Sequence, residues 1–257
     1  MSKHPLFSDK TLFLTDLDST MIRSHRHPSA PDSVWVEMLN GHRQSFMTKK
    51  THQFFSGQTT YWVVPLTTRT HAQYERLAES LSALGWHTAL ICNGAVLLEN
   101  GKENAAWSAE SERLAAPALP HLTALMQTAE QAVGAEHIIS VLPFFFYVRG
   151  TDPEQMSALL QSRADSEQVA VFRDARKVYC IPRTLDKGSA ARRFRRYSGH
   201  ERLIAAGDSA FDLPLLAEAD IGICPEALRQ EASAKEQLYC CAGDFSDEIC
   251  AILTKAT

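Results

Sequence analysis

Short apolar runs, each closed by polar or turn-forming residues, punctuate the chain: TLFL at 11–14, YWVVPL at 61–66, TALIC at 88–92, RLIAAG at 202–207, DIGIC at 220–224 and QLYCC at 237–241. Unbroken apolar runs of this length suit strands covered on both faces. Helical patterns lie between them. In THAQYERLAESLSALG, Tyr74, Leu77, Ala78, Leu81 and Leu84 form one stripe and Gly85 supplies a stop; DKGSAARRFRRYSG has a capping Asp186 and a terminating Gly199. This strand–helix alternation predicts an α/β architecture built on a doubly wound parallel sheet.

The alternation breaks in the middle of the chain. AVLLENGKENAAW reads as a hairpin turning at Asn100-Gly101, and an Ala/Leu-rich helical stretch from Ser108 to Val133 follows, interrupted at Pro117 and Pro120. HIISVLPFFFYVRG, a helical DPEQMSALLQSRA, and the strand candidates QVAVF and KVYCI come next. Strands and helices without parallel crossover spacing predict a second, α+β domain inserted into the first, with a core of 1–107 and 183–257 and an insert of 108–182. Between the first two strands, SVWVEMLNGHRQSFMT has its own Asn40-Gly41 turn and predicts a small hairpin over 34–47.

Composition narrows the function classes. A net charge of −4 over 257 residues leaves no electrostatic footprint for nucleic acid or an anionic membrane. No run approaches the length that spans a bilayer, and MSKHPLFSDKT lacks the apolar stretch of a signal peptide, so the expectation is a soluble, cytoplasmic protein. The six cysteines show no CxxC spacing; buried free thiols are expected, with Cys240 and Cys241 on opposite faces of a strand.

The strand ends carry the candidate chemistry. The first run ends in TDLDST with Asp16 and Asp18, the second in Thr67, Thr68 and Arg69, the third in Asn93 and Gly94, and the fourth in GDSAFD with Asp208, Ser209 and Asp212. Ligands of open parallel sheets bind outside the carboxyl ends of the strands. Acidic groups converging there repel unless a cation joins them, and hard oxygen donors without Cys or His suit Mg²⁺, which commonly shares its site with phosphate. Lys187, at the start of a helix, adds a fixed positive charge. Each residue alone has an ordinary reading: a polar turn, a helix cap, a strand end, an exposed lysine. Their convergence favours phosphoryl transfer. By contrast, RRFRR at 192–196 reads as a solvated helix face, FFFY at 144–147 as core strand or domain surface, and His25 and His27 as loop residues without a catalytic role.

DLDST, LTTR, DKGSAA and GDSAFD, in this order, resemble the four motifs of the haloacid dehalogenase-like (HAD) phosphatases, and the segment between NGA and DKG resembles their type IIB cap, as in Cof-like, sucrose-phosphatase-like and phosphomannomutase-like members. The resemblance implies a Rossmann-like HAD core with an inserted α+β cap, and a Mg²⁺-dependent phosphoric monoester hydrolase acting on a small phosphorylated metabolite such as a sugar phosphate. Asp16 would be the nucleophile and Asp18 the general acid/base. Thr67, Thr68 and Lys187 would bind phosphate. Asp16, the Asp18 backbone carbonyl and Asp208 would hold the metal, with Asp212 and Ser209 behind them. Arg69 and Asn93 are candidates for substrate contact, as are Arg149, Arg173 and Lys177 for its anionic groups. Two positions depart from the family pattern: Phe211 stands where Asn is usual, and Thr68 where Gly is common. A phosphomutase or phosphotransferase, a receiver-like signalling module, and a non-catalytic binding protein on a degenerate HAD core are the competing classes.

Overall fold

The computed structural model describes residues 10–174 and 176–256, so the first nine residues of the expected core lie outside the described residues. The chain forms two compact units, 1–103 with 187–257 and 104–186. The first unit begins with β1 (Thr11–Thr15), β2 (Arg23–Ser24), β3 (Val34–Leu39), β4 (His42–Met47), α1 (Lys49–Gly57), β5 (Tyr61–Pro65), α2 (His71–Ala83), β6 (Thr88–Ile91), β7 (Val96–Glu99) and β8 (Lys102–Glu103). The second unit contains α3 (Ala105–Ala115), α4 (Leu119–Val133), β9 (Ile138–Val141), β10 (Phe145–Arg149), α5 (Pro153–Arg163), β11 (Val169–Asp174) and β12 (Lys177–Pro182). The chain then returns to the first unit through α6 (Lys187–Ser198), β13 (Leu203–Ala206), α7 (Leu213–Glu218), β14 (Ile221–Pro225), β15 (Gln237–Cys241) and α8 (Phe245–Lys255).

Five strands form the central sheet in the order β15-β14-β13-β1-β5, all parallel. From β1 the chain first adds β5 on one side and later builds β13, β14 and β15 on the other, so strand order reverses at β1. That reversal opens a crevice at the carboxyl ends of β1 and β13. Register brings those ends level: Thr15 lies beside both Ala206 and Pro65. β1, β5, β13 and β14 are buried on both faces, as their unbroken apolar runs require, whereas β15 at the edge is only partly covered.

The third apolar run is not a full strand of this sheet. β6 meets the β5 segment through one bridge, Leu66 to Leu90, and otherwise pairs antiparallel with β7 in a three-stranded β6-β7-β8 sheet. The cause is Pro65. Leu66 N–H faces β1, donating to Thr15 O, and Thr67 N–H faces β6, donating to Leu90 O. Alternation makes residue 65 the preceding donor toward β6, and proline has no N–H to give.

Local signals account for the helices and turns. α2 opens on a capping box of Thr70 and Gln73 and buries Tyr74, Leu77 and Leu81. Asn40 and Gly41, both with positive φ (50° and 76°), close the β3–β4 hairpin. In α6 the buried stripe runs Lys187, Ala190, Ala191, Phe194 and Ser198, so the helix carries a lysine on its inward face. RRFRR is a solvated face only in part: Arg192 and Arg196 are exposed, but Arg193 is 6% exposed and Phe194 fully buried. Phe13 stacks on Phe55 with centroids 6.3 Å apart, and Trp86 meets Phe55 edge-on. The second unit packs α4 and α5 on one face of an antiparallel β11-β12-β10-β9 sheet, around Leu122, Leu125, Phe146, Leu160 and Val178.

Gly94 ties the loop after β6 to α6. It has φ +87°, and a Cβ there would stand 2.3 Å from Ala190 Cβ. Gly41 has φ +76° with open space around it. Gly41→Ala is therefore expected to cost about 1–2 kcal/mol, from left-handed strain alone. Gly94→Ala adds overpacking of about 1–3 kcal/mol. Urea denaturation of the two variants measures the difference; equal losses would contradict the close approach.

Candidate active site

The chain leaves β1 at Thr15 and turns at once. Asp16 N–H donates to Ala206 O at 2.9 Å, and the Leu17 carbonyl accepts from the N–H groups of Thr20, Met21 and Ile22. Ser19, with φ 63°, completes the turn. Asp16 consequently points inward, 7% exposed, whereas the Asp18 side chain is 54% exposed. The second acidic segment follows β13. A Cβ on Gly207 would lie 2.2 Å from Asp212 Cβ, so glycine there lets the 208–212 turn fold back on the strand end. Asp212 Oδ2 closes this turn by accepting from Asp208 N–H (3.1 Å), Ser209 N–H (3.0 Å) and Ser209 Oγ (2.9 Å).

Lys187 joins the two segments. Its Nζ lies 2.6 Å from Asp16 Oδ1 and 2.6 Å from Asp212 Oδ1, and the residue is 1% exposed. Burial would lower the Lys187 pKa, but the two carboxylates outweigh it and hold the ammonium charged. Burial pushes the Asp16 pKa well above the usual carboxylate range; Lys187 opposes this, while Asp212, Asp208 and Asp18 add to it.

Carboxylate oxygens of Asp16, Asp208 and Asp212 lie within 4.8 Å of one another. Thr20 Oγ donates to Asp208 Oδ1 at 3.0 Å and orients it. An all-oxygen donor set of this kind fits Mg²⁺. Both Asp212 oxygens already serve Lys187 and the turn, which leaves Asp16 and Asp208 as the carboxylates better placed to hold a cation, with Asp212 fixing the turn and the lysine.

Thr67, 1% exposed, follows β5; its Oγ accepts from Arg69 N–H at 3.2 Å. Asn93 N–H donates to Thr67 O and Cys92 N–H to Arg69 O, both at 2.8 Å, so the 92–94 turn is laced to the 67–69 segment. Cys92, Asn93 and Gly94 all have positive φ. Thr68 is half-buried. These residues share the sheet edge with Asp16, since Leu66 N–H bonds to Thr15 O.

Arg69 departs from its expected role. Nε and Nη2 donate to Asp18 Oδ2 and Oδ1 at 2.8 Å each, Nη1 and Nη2 to Glu37 Oε1 and Oε2 at 3.0 Å each, and Nη1 also to Gln73 O at 3.2 Å. All five guanidinium N–H groups are thereby committed, and none is left for a substrate. Arg173 is paired with Glu154, and Lys177 lies over the rings of Tyr147 and Tyr179; Arg149 is exposed. Phe211 is buried at 7% exposure.

Glu37, Ser45, Arg76 and Thr20 have no counterpart in the sequence reading. Thr20 stood in view within DLDST. The signal for Glu37 is a single carboxylate inside the otherwise apolar VWVEML strand.

No family model and no curated protein matches the sequence. Solved structures do. The sucrose-phosphatase from Synechocystis, in complex with sucrose and phosphate, is 15% identical, with 96% of this chain and 97% of that one covered at a TM-score of 0.63. A HAD subclass IIB sugar phosphatase is 13% identical over 96% and 99% at 0.59, and a HAD-superfamily phosphatase from Bacteroides thetaiotaomicron 14% identical over 96% and 94% at 0.55. The chain has the fold of the HAD superfamily: a Rossmann-like parallel core interrupted by an α+β unit.

Replacing Lys187 by Met leaves Asp16 and Asp212 buried without their cation, and a loss of about 3–5 kcal/mol is expected at pH 7. Removing the lysine raises the folded-state pKa of Asp16 further above its unfolded value. Such a group keeps its stability below the unfolded pKa and loses it as pH rises. The deficit against wild type should therefore hold steady at acid pH and grow once pH rises through the raised folded-state pKa of Asp16 in wild type, read by denaturant titrations across the neutral range; a deficit that never grows would argue against a buried Asp16–Lys187–Asp212 bridge.

Proposed function

We propose that this chain is a Mg²⁺-dependent phosphomonoesterase that hydrolyses a small phosphorylated metabolite, of the sugar-phosphate kind, through an aspartyl-phosphate at Asp16. The observation that carries the reading is the Asp16 carboxylate, buried at the switch point of a parallel sheet, gripped by Lys187 and bordered by Asp208. The HAD fold and the sugar phosphatases among its structural neighbours support it.

A free carboxylate oxygen of Asp16 attacks phosphorus, and the bond from phosphorus to the ester oxygen breaks. Asp18 gives its proton to that leaving oxygen, then takes a proton from the water that attacks the acyl phosphate, releasing inorganic phosphate and restoring Asp16. Lys187 balances charge on the nucleophile and on the transferring group. Thr67 Oγ accepts from Arg69 N–H, so its hydroxyl proton is left to donate to a phosphoryl oxygen, beside the backbone of Thr68. Asp16, Asp208 and the Asp18 backbone carbonyl would hold Mg²⁺, which when bound neutralises charge between the nucleophile and the phosphate. Ser209 and Asp212 keep that segment folded. The 104–186 unit would act as the cap and choose the substrate. Among the described residues no helix is long and apolar enough to cross a membrane, and the six cysteines are free thiols; a cytoplasmic setting suits them.

Phosphate release from a panel of phosphomonoesters, read with wild type and Asp16→Asn side by side, tests the reading. The variant should lose at least about 10⁴-fold in kcat, and EDTA should abolish wild-type turnover until Mg²⁺ is restored. Equal activity of the two proteins would sink the mechanism. Added acceptor alcohols should leave inorganic phosphate as the sole phosphorylated product; transfer to the alcohol would identify a phosphotransferase instead.

A further inference from the structure

Glu37 is a carboxylate 1% exposed, buried in a hairpin outside the parallel sheet. The β3–β4 register shifts on both sides of it. This bulge turns Val36 and Glu37 inward together, where a regular strand would send them to opposite faces. Ser45 Oγ at 2.6 Å, Arg76 Nε at 2.8 Å and the two Nη atoms of Arg69 at 3.0 Å each then hold the carboxylate. Burial by itself would raise the Glu37 pKa; the hydrogen bonds and charge of Arg69, with Ser45 and Arg76, bring it below the usual carboxylate range.

Arg69 is the link outward. One edge of its guanidinium is locked on Glu37 and on the Gln73 carbonyl, and the other grips both oxygens of Asp18 at 2.8 Å. Asp18 stands on an exposed turn, where a carboxylate without such a partner samples several rotamers. We propose that Glu37 is a positioning residue for the acid/base chemistry of Asp18: it fixes the Arg69 guanidinium, and the guanidinium fixes the carboxylate. The inference rests on the phosphomonoesterase reading above. A guanidinium is a rigid plane with donor pairs on two edges, so orientation passes through it from one carboxylate to the other; an ammonium would transmit none. Arg76 matches the second negative charge, so Glu37 remains ionised without drawing Arg69 away from Asp18.

The test uses the leaving group. A general acid matters when the departing oxygen is a poor leaving group and hardly at all when it is a good one, whereas a damaged fold affects both. In Glu37→Gln, kcat/KM for an alkyl phosphate such as 2-phosphoglycerol should fall about 10–100-fold, and kcat/KM for p-nitrophenyl phosphate by less than about threefold. Glu37→Asp, which keeps the charge, should recover part of the alkyl activity. Equal falls for both substrates, or none, would overturn the proposal. A second readout is independent of turnover: the exchange-protected Nη1–H signal of Arg69, whose nitrogen donates to Glu37 and not to Asp18, should survive Asp18→Asn and vanish in Glu37→Gln in ¹⁵N NMR. Its persistence in Glu37→Gln overturns the positioning role even if the wild type is an active phosphatase. Absence of wild-type activity with the NMR pattern intact removes the catalytic reading and leaves only the clamp. If Glu37→Gln does not fold, Ser45→Ala, which removes one hydrogen bond to Glu37 and no charge, is read in its place, with the same ordering of substrates and a smaller fall.

Discussion

The buried ammonium of Lys187, held at 2.6 Å from two carboxylates, is the constraint to which the rest of the core is fitted. Three ionised groups removed from water are each costly, and their mutual attraction offsets that cost only if the geometry is close and the remaining lone pairs are used. Three glycines make the approach possible. Gly94 lets the loop after β6 sit against Ala190 of α6, Gly207 lets the β13 end sit against Asp212, and Gly188, where a Cβ would stand 2.6 Å from Pro214 O, lets α6 sit against α7. Segments distant in sequence thus meet with backbone nearly touching. The parallel sheet supplies the floor, because reversal of strand order at β1 brings the ends of β1 and β13 side by side.

Two ionic clusters stand next to each other, and their charge balances differ. Around Lys187 there are three carboxylates, Asp16, Asp208 and Asp212, against one ammonium. Around Arg69 there are two carboxylates, Asp18 and Glu37, against two guanidiniums, Arg69 and Arg76. The second cluster is neutral as it stands. The first carries a surplus that a divalent cation would cancel, and its donors are the hard oxygens such an ion takes.

What was legible in the sequence was local. Apolar runs marked β1, β5, β13, β14 and β15, the stripe and capping box marked α2, and Asn40-Gly41 marked the small hairpin, because each depends on a few neighbouring residues. Polar residues at the strand ends could be gathered into one site because parallel topology itself places those ends together. The reading stopped where the outcome depended on a partner far along the chain. TALIC has the composition of a central strand, and the missing N–H of Pro65 limits it to one bridge. Arg69 looked like a substrate ligand because nothing nearby announced that Asp18 and Glu37 would take all its donors. Glu37 was invisible because a bulge, which obeys cross-strand register and not period, decides which way it points.

Phe211 shows why one departure from a motif need not dissolve a site. In the family pattern that position carries an amide, and an amide in a tight acidic turn supplies hydrogen bonds. Here the turn obtains them elsewhere: Asp212 Oδ2 accepts from the Asp208 and Ser209 N–H groups and from Ser209 Oγ, and Asp212 Oδ1 is held by Lys187. The buried phenyl ring contributes apolar area to the interior beneath the turn, and Thr20, one turn beyond Asp16, reaches across to orient Asp208. Backbone donors and two hydroxyls therefore hold the carboxylates in place. An aromatic residue is tolerated at 211 because the acidic cluster is organised through position 212.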